Sequence, residues 1–263
     1  MPAEAAAARR AREARESAEH AAEQRRRRLR LLGGAVGVVV VVVAVVVAVG
    51  AFRPDPAAKG TPDRDGVRGS RETAAMLRGL PQRGTVLGDP GAPVTLLEIA
   101  DLKCPSCQAH ELGPQREIVD RLVRTGKANL RLELVNYRDA PAGTTDGEGA
   151  RRAAYALAPA GRFWTFVDAL YWNQGSEQDA WATDDTLRRI ATVNRIATNR
   201  VQTRETPASR SGIAAAEALA RGLGTNETPS LYVLPRGSRE GRRVATDDVD
   251  AIDRVVAEAS RGG

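Results

Sequence analysis

Hydrophobic and polar positions alternate along this chain in several distinct ways. Residues 31–52 form a 22-residue run without a charge, and eleven of its residues are Val. As a helix it would be about 33 Å long, enough to cross a hydrocarbon core of about 30 Å. Further on, Pro93–Ala100 is almost continuously apolar and predicts a mostly buried strand. Between Asn129 and Tyr137 the leucines at 130, 132 and 134 alternate with Arg131 and Glu133, which predicts a strand with one wet face. Helical patterns occupy Glu148–Leu157, Arg162–Trp172, Thr186–Ala197 and Ser211–Gly222, with no strand pattern among them. Ser230–Leu234 and Arg242–Ala245 read as two further strands, followed by a helix over Asp247–Glu258. The predicted order is strand, helix, strand, several helices, strand, strand, helix, with no internal repeat.

Punctuation refines this map. Residues 53–71 are rich in Pro, Gly, Asp and Arg and read as a linker. Ser70 is placed to cap a short helix that runs to Arg78 and stops at Gly79 and Pro81. Pro114 should kink or break the helix that follows the first strand, which then continues from Ile118 to Arg124 and ends at Gly126. Seven of the ten aromatic residues lie within 155–181 (Tyr155, Phe163, Trp164, Phe166, Tyr171, Trp172, Trp181), and they are expected to form the core of a helical subdomain rather than a binding surface.

Charge decides topology more than it decides partners. The net charge is +6, but residues 1–30 alone carry nine Arg and five Glu. The basic character therefore belongs mainly to a tail, and nucleic-acid binding is not implied. Arg25, Arg26, Arg27, Arg28 and Arg30 precede the apolar run, whereas acids intersperse the basic residues that follow it. With residues 31–52 as a membrane span, this bias predicts residues 1–30 in the cytoplasm and residues 53–263 outside, including a domain at 72–263. A secretory signal normally has an apolar region of only about 7–15 residues, although cleavage near Val-Ala-Val-Gly-Ala is the competing reading.

Scarcity narrows the chemistry. The chain has two His and two Cys, which excludes a disulfide-stapled scaffold and a four-Cys zinc site. The two Cys form Cys104-Pro105-Ser106-Cys107 where the first predicted strand gives way to a helix. Free N–H groups and the helix dipole at such an N-terminus stabilise an anion, so Cys104, read as the more exposed sulfur, should be the attacking thiolate. Cys107 lies one turn on and faces the same side, and Pro105 suits a first turn because it has no N–H to satisfy. The pair is then able to cycle between dithiol and disulfide through a mixed disulfide on Cys104.

Other uses of the pair fit less well. A structural disulfide across so short a loop gains little entropy. A metal site recruiting His110 lacks further Cys or His ligands outside the predicted span. Haem attachment requires His directly after the second Cys, where Gln108 stands. Glu98, six positions before Cys104, is either a buried acid able to exchange a proton with Cys107 or a strand-end acid reaching water. Thr228-Pro229, just before Ser230–Leu234, lies where a cis-proline loop would meet the Cys pair. His110 reads as a partly exposed helix residue rather than a catalyst. Nothing in the sequence points to a bound metal or cofactor.

The segments LGDPGAPVTLLEIADLKCPSC, RTGKANLRLELV, GRFWTFVDALYWNQ and ETPSLYV, in that order, resemble the DsbA-like thiol–disulfide oxidoreductases, particularly membrane-anchored actinobacterial forms. The similarity covers about residues 72–259. It implies an α/β, thioredoxin-like fold with a helical insertion at about 148–223, preceded by the single transmembrane helix. It also implies Cys104 as nucleophile, Cys107 as resolving Cys, Glu98 as the buried acid and Pro229 as the cis-proline beside the disulfide. Pro105, Ser106, Thr228 and Pro229 would contact substrate, with the backbone at Thr228 pairing with a substrate peptide as an added strand. Ser106 stands where the family commonly has His or an aromatic residue, a position that tunes oxidising power. Ala100 and Leu102 are smaller than the usual residues, and Asn199–Ser211 matches poorly.

The function expected from these observations is disulfide formation in reduced secreted proteins outside the cytoplasm. A separate membrane quinone-linked oxidase, of the DsbB or vitamin K epoxide reductase-like kind, would regenerate the disulfide, because the chain has no other Cys. The rival expectations are a reductase or isomerase of the same fold, and a binding domain with an inert Cys pair.

Overall fold

A computed structural model describes residues 64–238 and 240–262. The predicted tail (1–30), the predicted span (31–52) and the first part of the linker lie outside the described residues. Among those described, no helix is long and apolar enough to cross a membrane.

The sheet is built around β3 (Val94–Ala100), whose Val, Leu and Ile residues suit a strand covered on both faces. β3 runs parallel to β4 (Asn129–Leu134), placing Glu98 opposite Leu132, and antiparallel to β5 (Ser230–Pro235), placing Glu98 opposite Leu231. β6 (Arg242–Val244) adds antiparallel to β5. A short hairpin, β1 (Gln82–Arg83) and β2 (Val86–Leu87), adds antiparallel to β4, giving the order β1-β2-β4-β3-β5-β6. The sequence pattern does not predict this hairpin, since two-residue strands are too short to show a period.

The helices assemble on the two faces of the sheet. α1 (Ser70–Leu77) precedes it, and α2 (Pro105–Leu112) and α3 (Pro114–Ile118) follow β3. The predicted break at Pro114 occurs at Gly113, and a π-helical turn over Val119–Val123 continues the path. Between β4 and β5 lie α4 (Asp139–Ala142), α5 (Asp146–Leu157), α6 (Phe163–Trp172), α7 (Asp184–Val193) and α8 (Pro207–Gly222). The insertion therefore begins earlier than residue 148. α8 also starts before the predicted Ser211, because Thr206 and Ser209 form a reciprocal capping box ahead of Pro207. α9 (Val249–Gly262) closes the fold.

Alternation along β3 divides the core. Val94, Leu96 and Ala100 pack into the larger cluster, which contains both Cys residues, α2 and the aromatic α6. Leu97 and Ile99 pack with Val135, Ala220 and Tyr232 on the other face. Glu98 shares its face with Leu96 and Ala100 and so points toward α2. The expected wet face of β4 is reduced to Arg131: the strand ends at Leu134, and Glu133 is 3% exposed. The Tyr155 hydroxyl covers it, donating to Glu133 Oε2 at 2.9 Å while accepting from the Leu134 N–H. Tyr155, Phe163, Trp164, Phe166, Tyr171 and Trp172 are all buried, which fits the core role expected for the aromatic cluster.

Ser70 is not the cap of α1. Gly69 takes that position with φ 74°, in the left-handed region, and the Trp172 ring lies where its Cβ would be. An alanine there meets both a backbone penalty and a ring contact at 2.0 Å. Gly69→Ala is expected to lower the unfolding free energy by about 2 kcal/mol or more. Denaturant unfolding of the two proteins checks this, with an unchanged midpoint as the contrary result.

Candidate active site

Cys104 is the N-cap residue of α2, with extended backbone, and Pro105 begins the helix. Both sulfurs are in the free, reduced state and both residues are fully buried. Neither sulfur is open to solvent, and of the two, Cys104 lies less deeply than Cys107, in the order expected. The surroundings of Cys104 cover it: Arg138 Nη2 lies 3.5 Å from Cys104 Sγ, and the Thr228 carbonyl lies 3.4 Å from the same sulfur. Ser106, by contrast, is exposed and Pro105 is half-buried.

The two sulfurs have opposed proton affinities. A hydrogen bond from the Cys107 thiol is the largest influence lowering the Cys104 pKa, from 9.0 to about 5, against the cost of burial. The Thr228 side chain, the Cys107 N–H and the Arg138 charge add to the effect. Burial pushes Cys107 well above its ordinary value, and holding the proton that stabilises Cys104 pushes it further the same way. At neutral pH the arrangement is a thiolate at Cys104 beside a thiol at Cys107.

Polar residues distant in sequence hold this geometry. The Asp101 carboxylate accepts from the Lys103 N–H at 2.8 Å, the Tyr137 N–H at 2.6 Å and the Arg138 N–H at 3.1 Å. One side chain thus fixes the Cys loop against the segment that carries Arg138. Lys103, fully buried, donates to Asp146 at 2.7 Å, Thr144 at 2.5 Å and Asp139 at 3.3 Å, tying the loop to the insertion. From α6 the Tyr171 hydroxyl donates to the Asp101 carbonyl at 3.3 Å. Beyond it, the Gln174 amide donates to the carbonyls of Leu102 at 2.7 Å and Cys104 at 3.2 Å. Asp101, Lys103 and Gln174 lie inside the segments that carry the family resemblance but are not singled out there as site residues, and Arg138 lies outside those segments.

Pro229 follows a cis peptide bond from Thr228, and this loop meets Cys104 through the Thr228 carbonyl. Glu98 is fully buried beneath α2, which removes the alternative of a strand-end acid reaching water. Gln115 donates to Glu98 Oε2 at 3.0 Å, and His110 Nε2 lies 3.5 Å from the same oxygen. His110, expected to be partly exposed, is 4% exposed, because this face of α2 is covered even though it carries polar residues. The structure thus brings Cys104, Cys107, Pro105, Thr228 and Pro229 together, with Glu98 in the layer below and Ser106 at the rim.

The thioredoxin family model matches residues 81–245. The chain belongs to the thioredoxin family. Among curated relatives, the probable disulfide bond formation protein D of Bacillus cereus is 30% identical over 108 residues. That stretch covers 40% of this chain, and the chain spans about half the length of the relative, 47%. The oxidised BdbD structure from Bacillus subtilis superposes with a TM-score of 0.55 at 20% identity, covering 69% of this chain and 97% of that one. Wolbachia pipientis alpha-DsbA1 superposes with a TM-score of 0.53 at 16% identity, covering 68% and 91%. The thioredoxin-like α/β fold carries the helical insertion of these DsbA-like structures.

The lowered pKa has a measurable consequence. Cys104 should alkylate at a rate that levels off above about pH 6, while Cys107 stays unreactive in the folded protein. Rapid labelling and peptide mass spectrometry across pH 4–9 read this directly, and equal labelling of the two Cys would contradict it. Arg138→Ala should move the Cys104 midpoint upward, because it removes a cation beside the thiolate. The linkage sign follows from a folded value below the unfolded one. Ionisation of Cys104 stabilises the reduced fold fully above about pH 9, and that contribution is lost as pH falls toward about 5.

Proposed function

We propose that this protein is an extracytoplasmic thiol–disulfide oxidoreductase that introduces disulfides into reduced secreted proteins. The observation that carries this reading is the split between the sulfurs: a Cys104 pKa lowered to about 5 beside a Cys107 thiol pushed well above 9.0. A stabilised thiolate favours the reduced form and so makes the Cys104–Cys107 disulfide a strong oxidant. The curated relatives, named as disulfide bond formation proteins D in Bacillus, support the same direction.

In this mechanism a substrate thiolate attacks Cys104 Sγ of the oxidised protein, and the Cys104–Cys107 bond breaks with its electron pair going to Cys107, which takes up a proton. A second substrate thiolate then attacks the substrate sulfur of the mixed disulfide. The substrate disulfide forms, and Cys104 leaves as its stable thiolate. Glu98 is the buried acid that exchanges the Cys107 proton. Pro105, Ser106 and the Thr228–Pro229 loop flank Cys104 and provide the substrate contact, with a substrate strand pairing at the Thr228 backbone.

The location follows from the apolar run and its flanking arginines. Residues 31–52 span the membrane, residues 1–30 are cytoplasmic, and the residues after the span link it to the catalytic domain, which begins before residue 72 because Val67 and Gly69 already pack into it. A membrane quinone-linked oxidase re-oxidises the pair, since the chain contains no Cys besides these two.

Cys107→Ser removes the resolving sulfur, so mixed disulfides should accumulate on Cys104 when the variant is expressed in an oxidising compartment. Non-reducing gels followed by mass spectrometry should identify secreted Cys-containing proteins, and the Cys104→Ser/Cys107→Ser control should trap none. A Cys107→Ser protein free of adducts would overturn the proposal.

A further inference from the structure

Beneath the sulfur pair lies a polar layer that thiol chemistry alone does not require. Glu98 on β3 is fully buried; Oε2 accepts from Gln115 at 3.0 Å, and His110 Nε2 lies 3.5 Å from it, at ion-pair distance without a hydrogen bond. Its other oxygen, Oε1, accepts no hydrogen bond. Glu111, one position after His110, is also fully buried and shares the Gln115 amide at 3.3 Å. A carboxylate so buried is costly to ionise unless a cation faces it.

Among the described residues His110 is the one such cation within ion-pair distance of Glu98. The other ionisable groups around the pair come from three elements. On α2, burial keeps both Cys107 and Glu111 protonated, with the Glu98 charge acting in the same direction. On α6, burial does the same for the Tyr171 phenol. Asp168 on α6 is engaged by Arg116 of α3 at 2.7 Å and by the Thr73 hydroxyl at 2.5 Å. The carbonyl of Thr246, ahead of α9, lies beside His110. Burial disfavours the imidazolium, but Glu98 and that carbonyl outweigh it and raise the His110 pKa.

We propose that His110 is a positioning residue that holds Glu98 as a carboxylate beneath the Cys pair, leaving Oε1 free to take the Cys107 proton when the disulfide closes. This rests on the redox reading of the pair given above. The step balances as follows. In a mixed disulfide on Cys104, the Cys107 proton passes to Glu98 and the Cys107 thiolate attacks Cys104 Sγ. The Cys104–Cys107 bond forms, and the bond from Cys104 to the other sulfur breaks. The electron pair leaves with that sulfur as a thiolate; Cys104 and Cys107 are oxidised and the incoming disulfide is reduced. Glu98 then returns the proton to solvent. Without the imidazolium no cation faces Glu98 in its buried site, and it is a poorer acceptor for the Cys107 proton.

The test uses the full chain, reduced and mixed with oxidised glutathione, with acid quench and mass spectrometry to separate formation of the Cys104–glutathione adduct from its resolution. For His110→Gln, adduct formation should keep its wild-type rate. Resolution should slow about tenfold. Glu98→Gln should slow resolution at least as much, and adding His110→Gln to it should cost nothing further, because His110 acts only through Glu98. A His110→Gln resolution rate equal to that of the wild type overturns the proposal, as does an equal slowing in the Glu98→Gln background. A loss confined to thermal stability, with the resolution rate unmoved, assigns His110 to packing and also overturns it. Failure of the wild-type chain to form or resolve any adduct is a different result, since it removes the redox reading itself.

Discussion

The constraint on which this structure depends is the unequal sharing of one proton between two buried sulfurs a helical turn apart. A buried thiolate is unfavourable by itself, so the fold has to supply donors that remain aligned when the sulfur is shut away from water. It does so by placing Cys104 at the N-cap of α2, with the Cys107 thiol and N–H directed at it and Arg138 laid alongside. Cys107 accepts the opposite fate, buried as a thiol in the main core cluster.

Much of the polar interior is organised to keep that loop in place. Asp101 joins it to the segment carrying Arg138, Lys103 ties it to the start of the insertion, and Tyr171 and Gln174 hold its carbonyls from the side of α6. A buried lysine paired with two acids is weak evidence for stability, but it specifies one geometry. Gly147 shows how closely this is fitted, since a Cβ there would lie 2.9 Å from the Lys103 chain. The insertion therefore does more than enclose aromatics: it anchors the loop that carries the Cys pair.

The parts of this account legible in the sequence are those whose signals are local. The apolar strand, the Cys pair at its end, the break at Pro114 and the Thr228-Pro229 loop each rest on a few adjacent residues. Residues whose meaning arises only on folding were not legible. Arg138 reaches Cys104 from 34 positions away and looks, in an arginine-rich chain, like any surface arginine. The burial of His110 is illegible for a related reason: the buried face of α2 carries Gln108, His110 and Glu111 beside Cys107, so polarity does not mark its exposed side. Glu133 on β4 failed similarly, because Tyr155 covers it from 22 positions away.

The most direct test of the central claim is the equilibrium reduction potential of the Cys104–Cys107 pair in the full chain, measured against a glutathione series at neutral pH. If the Cys104 thiolate is as strongly favoured as its surroundings indicate, the reduced form is stabilised. The potential should then lie near that of a strong oxidant, about −120 mV. A value of about −270 mV or lower would show that the thiolate gains no such advantage, and the protein would then pass electrons toward its substrates rather than accept them.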